Sequence, residues 1–224
     1  MTVKDFTLRE AMKKVDVFLK DGKMSTIAYI TTRGLLAAES SDSLKEFLGN
    51  VDLTVTADSE ILRAAGIVNR NRTREIDNDE FMQEFLKKLV RMKKSVYLLT
   101  GSQQQMDTLK QGLVSFQEKL DIIGTYSLEL LDEQGYDEEY LVNEINVAMP
   151  SVIISNISTP QREAFFEANH MKLNADIWLM LKDEVVHQKL SQGIFIRLRE
   201  LLVRKIFTRQ VNKYRNEAEE KDKK

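Results

Sequence analysis

Val152-Ile153-Ile154-Ser155-Asn156-Ile157-Ser158-Thr159-Pro160-Gln161-Arg162-Glu163 is the segment on which the fold turns. Its apolar, β-branched opening reads as a strand over 152–155 buried on both faces, the kind found in parallel sheets. Thr159-Pro160 then reads as a helix start, with Thr as cap and Pro at the first helical position, where no N–H is needed. A buried strand feeding a helix is half of a βαβ unit.

Working outward, the same rhythm recurs. Apolar residues at helical spacing cover 8–21 (Ala11, Met12, Val15, Phe18, Leu19), 35–48, 105–120 and 138–148. Extended, β-prone runs cover 26–31, 51–56, 96–99, 121–124 and 175–181, the last containing Trp178 as an expected core residue. Ser59 is expected to cap a helix starting at Glu60, and Asp77 with Glu80 resembles a capping box opening a helix to 91. Strands alternating with helices at this spacing predict an α/β protein: a single Rossmann-like domain with a mainly parallel sheet flanked by helices. Such sheets bind ligands at the carboxyl ends of their strands, so the loops that matter are 31–34, 56–60, 100–104, 124–128 and 155–163.

Composition bounds the reading. The 224 residues are 42% hydrophobic and 30% charged, which suits one domain with a sizeable core and excludes a largely disordered chain. With no cysteine there is no disulfide framework, Cys-ligated metal or thiol nucleophile. His170 and His187 lack partners at metal-ligand spacing, so no metal or other cofactor is expected and both read as surface or half-buried residues. Acids and bases nearly cancel to a net charge of −2, which argues against a nucleic-acid partner. Charges from Lys4 to Lys20 break any signal-peptide core, and no apolar run approaches the roughly 20 residues that cross a bilayer. The expected location is cytoplasmic, with peripheral attachment to the inner face of the cell membrane left open.

Charge is unevenly placed. Arg197, Arg199, Arg204, Lys205, Arg209, Lys213 and Arg215 face one acid, Glu200, in a stretch with apolar residues near helical spacing. That pattern suits a basic amphipathic helix on anionic lipid, or one docked on the body or on a second copy of the chain. The expected organisation is a domain over 1–189, a basic helical appendage over 190–216 and a disordered charged tail over 217–224.

Each candidate loop carries two readings. The Thr159–Glu163 turn can receive phosphate on free backbone N–H groups, with the Arg162 fork beside a diphosphate, or it is a plain cap with a solvated Arg. Gly101 in Thr100-Gly101-Ser102 lets a ligand approach, or is only conformational. Asp58 can act as a general base toward a sugar hydroxyl, or cap a helix. Arg74, in the run Arg70, Arg72, Arg74, is a phosphate clamp or part of a solvated loop.

Taken in order, these segments resemble the WecG/TagA/CpsF family of bacterial glycosyltransferases over 6–181. Pro160-Gln161-Arg162-Glu163, followed by Ala164-Phe165-Phe166 and Asn169, is similar to that family's G-x-P-K-Q-E-x-W block. Val96-Tyr97-Leu98-Leu99-Thr100-Gly101 resembles its strand ending in Gly-Gly, and Ile123-Gly124-Thr125-Tyr126 its next strand and loop. Arg74 and Asp79 match its R-x-x-G-x-D block, Ile30-Thr31-Thr32-Arg33 its T-x-N, and Ala57-Asp58-Ser59 its Pro-Asp-Gly.

The resemblance implies inverting transfer of a hexose or N-acetylhexosamine from a UDP-sugar to a polyprenyl-diphosphate-linked acceptor in cell-envelope polysaccharide synthesis, without a metal. Carried over, Thr31 and Asp58 are catalytic, Asp58 as base. Arg74, Gly101, Ser102, Gly124, Pro160, Gln161, Arg162 and Glu163 surround the nucleotide sugar. Arg197, Arg199, Arg204 and Arg209 meet the membrane or acceptor.

The chain departs from the pattern. Arg33 replaces the asparagine, Asp58 has lost its flanking Pro and Gly, and Gly-Gly has become Thr100-Gly101. Ser158 stands for the family's glycine and Gln161-Arg162 for Lys-Gln. An Arg33 close to Asp58 would lower that carboxylate's basicity. A catalytically degenerate homologue that binds or regulates in the same pathway is therefore the second reading.

Overall fold

The computed structural model describes residues 5–181 and residue 211. Its strands are β1 (Ser25–Ile30), β2 (Leu53–Thr56), β3 (Ser95–Thr100), β4 (Asp121–Ser127), β5 (Val152–Asn156) and β6 (Ile177–Met180). They form one six-stranded sheet, every pair parallel, in the order β2-β1-β6-β5-β3-β4. This is the α/β Rossmann-like arrangement.

Strand alternation assigns the two faces. Ile27, Tyr29, Leu53, Val96, Leu98, Val152, Ile154, Ile177 and Leu179 pack beneath α1 (Leu8–Phe18), α6 (Glu80–Met92) and α7 (Gln103–Phe116). Ala28, Ile30, Tyr97, Leu99, Ile153, Trp178 and Met180 pack beneath α2 (Thr32–Ser40), α3 (Asp42–Asn50), α9 (Glu138–Ala148) and α10 (Gln161–Asn169). Central strands covered on both sides need apolar residues at every position, and each fully buried Ile or Leu contributes about 1.5–3 kcal/mol. Trp178 lies wholly inside, its indole N–H donating to Ser155 Oγ at 2.9 Å. His170 is half-buried and stacks on Phe166, with ring centroids 4.5 Å apart.

Several local expectations change. The helix expected over 35–48 is two, because Ser41 turns extended and its hydroxyl accepts from the Leu44 N–H that opens α3. Ser59 does not cap α4 (Ser59–Ala64); Asp58 holds the N-cap position, and its carboxylate is used elsewhere. The run expected as a loop is α5 (Arg70–Asp77), capped by Asn69, whose Oδ1 accepts from Asn71 and Arg72. Asp77 therefore ends a helix instead of opening one. Asp79 precedes α6 at φ 50° with no cap bond, because it accepts from the Tyr29 hydroxyl at 2.7 Å.

The expected start of the helix over 105–120 moves to Gln103, where Ser102 and Gln105 form a reciprocal capping box. Strand β4 runs on to Ser127, so Gly124 sits inside it rather than in a loop. Helix α8 (Glu129–Gln134) was not expected. Thr159 does not cap α10: the Thr159–Pro160 bond is cis, Pro160 takes the N-cap place and the helix begins at Gln161.

The connections place the site. After β1, β4 and β5 the chain passes to the Trp178 face; after β2 it enters α4 on that face and then crosses to α6 on the Tyr29 face, whereas after β3 it passes directly through α7 to the Tyr29 face. Adjacent β3 and β5 thus send their loops to opposite faces, which opens a crevice at their carboxyl ends. The appendage and tail boundaries, with Arg197, Arg199, Arg204, Arg209 and His187, lie outside the described residues. Val211 is described; it is helical and packs, half-buried, against the Trp178-face cluster.

Candidate active site at the carboxyl edge of the sheet

Two groups of residues meet along this edge. The first lies over β1 and β2. Thr31 caps α2, its Oγ1 accepting from Gly34 N–H at 2.9 Å. Asp58, directly after β2, reaches back so that Oδ2 accepts the Thr32 backbone N–H at 2.6 Å. Ala57 N–H donates to Ile30 C=O at 2.8 Å, so ladder and side chain together fix Asp58 beside Thr31.

The second group lies over β3 and β5. Gly101 N–H donates to Asn156 C=O at 3.2 Å. A Cβ at Gly101 would stand 2.9 Å from Gln105 Oε1 and 3.5 Å from Gln161 Oε1, so the two loops touch at this glycine. Ser158, Thr159, Pro160 and Gln161 are exposed around it. Between β1 and β5 lies only β6, so about 10 Å separates the groups at ordinary strand spacing.

Unpaired polar atoms concentrate here. Among the described residues, buried side-chain polar atoms without a partner are Thr32 Oγ1, the Tyr126 hydroxyl, Ser127 Oγ, both amide atoms of Asn156 and Glu163 Oε2. Asn156 and Ser127 end β5 and β4, and register places them on either side of Thr100, on the α7 face. Thr32 follows β1, and Glu163 lies in the first turn of α10. Leaving such a group unsatisfied costs about 1–3 kcal/mol, and the core elsewhere largely avoids it.

The predicted residues divide in their placement. Thr31, Asp58, Gly101, Ser102, Pro160 and Gln161 line the edge. Arg162 and Glu163 turn inward: the guanidinium donates to Glu163 Oε1 (2.7 Å from Nη2) and to Thr159 Oγ1 (3.1 Å), and lies 5.1 Å from the Phe47 ring centroid. The expected solvated or diphosphate-facing Arg162 is instead a buried half of an ion pair. Arg74 is two-thirds exposed on α5, 3.5 Å from Glu80. Gly124 lies within β4 against Tyr97, whose ring a Cβ at that position would meet at 2.3 Å.

Sequence reasoning passed over Asn156, Ser127 and Thr32. The signal was present in Asn156, a polar residue closing an otherwise apolar strand. It also passed over Arg72, the buried member of the arginine run, which donates to Asp5 (2.6 Å) and Glu75. Arg72, Phe6, Leu8, Tyr29, Ala57 and Asp79 wall a pocket adjoining the Asp58 loop. Glu129 accepts from Gln103 N–H at the start of α7, placing a carboxylate where an anion would otherwise sit.

No group of three or more His, Asp or Glu among the described residues is placed to hold a metal ion, and no described helix is long and apolar enough to cross a membrane. Comparison with curated proteins gives no match. A family model, glycosyl transferase WecG/TagA/CpsF family, matches residues 1–182. That span contains every described strand and both groups of edge residues, and the chain belongs to the WecG/TagA/CpsF family of glycosyltransferases, which serves cell-envelope polysaccharide synthesis.

Proposed function

We propose that the protein transfers a hexose or N-acetylhexosamine from a UDP-sugar to a polyprenyl-diphosphate-linked acceptor, with inversion at the sugar carbon. The observation that carries this reading is the set of buried, unpartnered polar atoms along the edge that also holds Asp58. In this reading the nucleotide diphosphate lies over Gly101 and Gln161, and Asn156 and Ser127 complete its hydrogen bonds. The sugar points across β6 toward Asp58. Asp58 Oδ2 is held by Thr32 N–H, which leaves Oδ1 to take the proton of the acceptor hydroxyl as that oxygen attacks the sugar carbon. The UDP leaves from the opposite side of that carbon, so one displacement gives inversion. Thr31 fixes the start of α2 and through it the N–H that orients Asp58. The acceptor enters from the pocket beside Ala57.

The test is incubation of the purified protein with a panel of UDP-sugars and a short-chain lipid-diphosphate acceptor, with product stereochemistry read by NMR. Transfer with inversion, lost in Asp58→Asn, supports the reading; no transfer with any pairing overturns it.

A second reading, a homologue that binds without catalysing, draws on Glu129 at the α7 N-terminus and on the inward turn of Arg162. Both remove positive potential from the diphosphate place. It predicts a thermal shift with an acceptor lipid or partner but none with UDP.

A further inference from the structure

Between Leu120 and Gln161 the chain carries eight acids and no Lys or Arg, whereas 193–215 carries seven bases against one acid. Two stretches of opposite surplus thus coexist in a chain whose net charge is −2. The eight acids fall on or beside β4, α8 and α9, which form one flank of the molecule at the sheet's β4 edge. Glu133, Asp137, Glu138 and Glu139 are exposed, and no described Lys or Arg pairs with any of them. The macrodipole of α9 favours the three acids at its start. It gives no reason for Asp121 or Glu144, and Glu133 stands in the last turn of α8, where negative charge is unfavourable.

Two further features suit this flank to guanidinium groups. Tyr136 and Tyr140 are 47% and 42% exposed and stack on each other, with ring centroids 4.1 Å apart and planes 18° from parallel. Open aromatic faces beside carboxylates favour Arg, which stacks on a ring while it pairs with an acid. The Tyr126 hydroxyl is buried without a hydrogen-bond partner, and Glu144, Tyr140 and Tyr136 surround it. An N–H donor arriving there removes the cost of that unsatisfied oxygen.

The chain itself supplies such a group. Val211 belongs to the basic stretch, is helical and packs half-buried on the Trp178-face cluster. Helices α8 and α9 contribute Leu131, Leu141, Val142 and Ile145 to that same cluster. The geometry points to the 193–215 segment docking on the α8–α9 flank of its own chain, its arginines on the carboxylates and the tyrosine stack and its apolar residues on the cluster. This contact takes no part in sugar transfer and stands whether or not the transfer reading holds.

The full chain tests it without any ligand. Carbodiimide coupling joins a Lys amine only to a carboxylate in contact with it. Lys205 and Lys213 should therefore couple to Glu133, Glu138 or Glu139, read by peptide mass spectrometry. An equal mixture of isotope-labelled and unlabelled protein separates links within a chain from links between chains. Glu133→Lys/Glu139→Lys changes two exposed positions and should leave the melting temperature close to that of the parent. Tryptic cleavage after Arg199 and Arg209 should then rise about tenfold, since each exposed ion pair is worth up to about fivefold. Adding Arg204→Glu/Lys205→Glu to that variant should restore protection. Couplings to acids elsewhere with none on the flank, couplings only between chains, or cleavage unaffected by the reversal would each overturn the inference.

Discussion

Asp58 and Thr32 are joined across the carboxyl edge by a 2.6 Å hydrogen bond from the Thr32 backbone N–H to Asp58 Oδ2, which ties the loop after β2 to the loop after β1. A carboxylate held by one oxygen has the other directed by geometry rather than by chance. The consequence is that shape and chemistry at this position can be separated by substitution.

Asp58→Asn keeps an oxygen able to accept from Thr32 N–H but removes the base. Transfer activity is expected to fall by about 10²–10⁴, the range ordinary for general-base catalysis, while the melting temperature stays close to that of the parent. Kinetics alongside differential scanning calorimetry check this; a large fall in melting temperature would show a structural role instead.

Asn156→Leu separates binding from stability. Both amide atoms are buried without hydrogen-bond partners, so an apolar side chain of similar size should relieve about 1–3 kcal/mol. The variant is expected to melt a few degrees higher than the parent and to lose the stabilisation given by UDP. Thermal shift with and without UDP measures both halves, and a destabilised variant that still responds to UDP contradicts the assignment.

Arg162 and Arg74 should behave oppositely. Arg162→Leu leaves the Glu163 carboxylate buried without its cation, at a cost of about 3–5 kcal/mol, or about 10 °C in a chain of this size. Adding Glu163→Gln should restore most of that, since the stranded charge is gone. Arg74→Gln, on an exposed helix face, should change stability by no more than about 0.5 kcal/mol. Urea unfolding of the four proteins decides the matter, and a stability loss with Arg74→Gln comparable to that with Arg162→Leu would contradict these placements.

Gly124→Ala puts a methyl into the Tyr97 ring, 2.3 Å from its nearest atom, where β3 and β4 shift register between Val96 and Tyr97. Overpacking of this kind costs about 1–3 kcal/mol. In a Tyr97→Leu background the same change should cost clearly less. A double-mutant cycle by chemical denaturation reads the coupling, and additive costs would remove the packing explanation.

Alkaline stability should depend on two tyrosines. Burial, then Asp79, pushes the Tyr29 hydroxyl well above its usual pKa near 10; burial, then Glu144, does the same for Tyr97. Above about pH 10 the unfolded chain releases protons that the folded chain keeps, so stability is complete below that value and falls as pH rises. Tyr29→Phe should flatten that fall by up to about 1.4 kcal/mol per pH unit. Urea unfolding at about pH 9 and about pH 11 tests it; identical slopes in parent and variant would contradict the buried Tyr29–Asp79 pair.

How far the sequence reached can be seen at particular residues. Val152-Ile153-Ile154, with no polar interruption, required a strand covered on both faces, and repetition of that unit required parallel neighbours. Glu138–Ala148 was legible as a helix to the residue, because its stripe and flanking turns agree. Polar residues at strand ends marked the edge on which Thr31, Asp58, Gly101 and Gln161 now meet. Patterns of this kind are local: side chains two, three or four positions apart share a face whatever the rest of the chain does.

Partners were not legible, because they come from far along the chain. Thr32 binds Asp58, Tyr29 binds Asp79 and Arg72 binds Asp5 across 26, 50 and 67 residues. Nothing near Arg70, Arg72 and Arg74 says which of three similar arginines is buried, and nothing near Arg162 says that it faces inward. Those outcomes follow from which carboxylate or ring the folded sheet brings within hydrogen-bonding reach. Periodicity in the chain determined the layers and the edge; only the packed layers decided which polar groups on that edge found a hydrogen-bond partner and which did not.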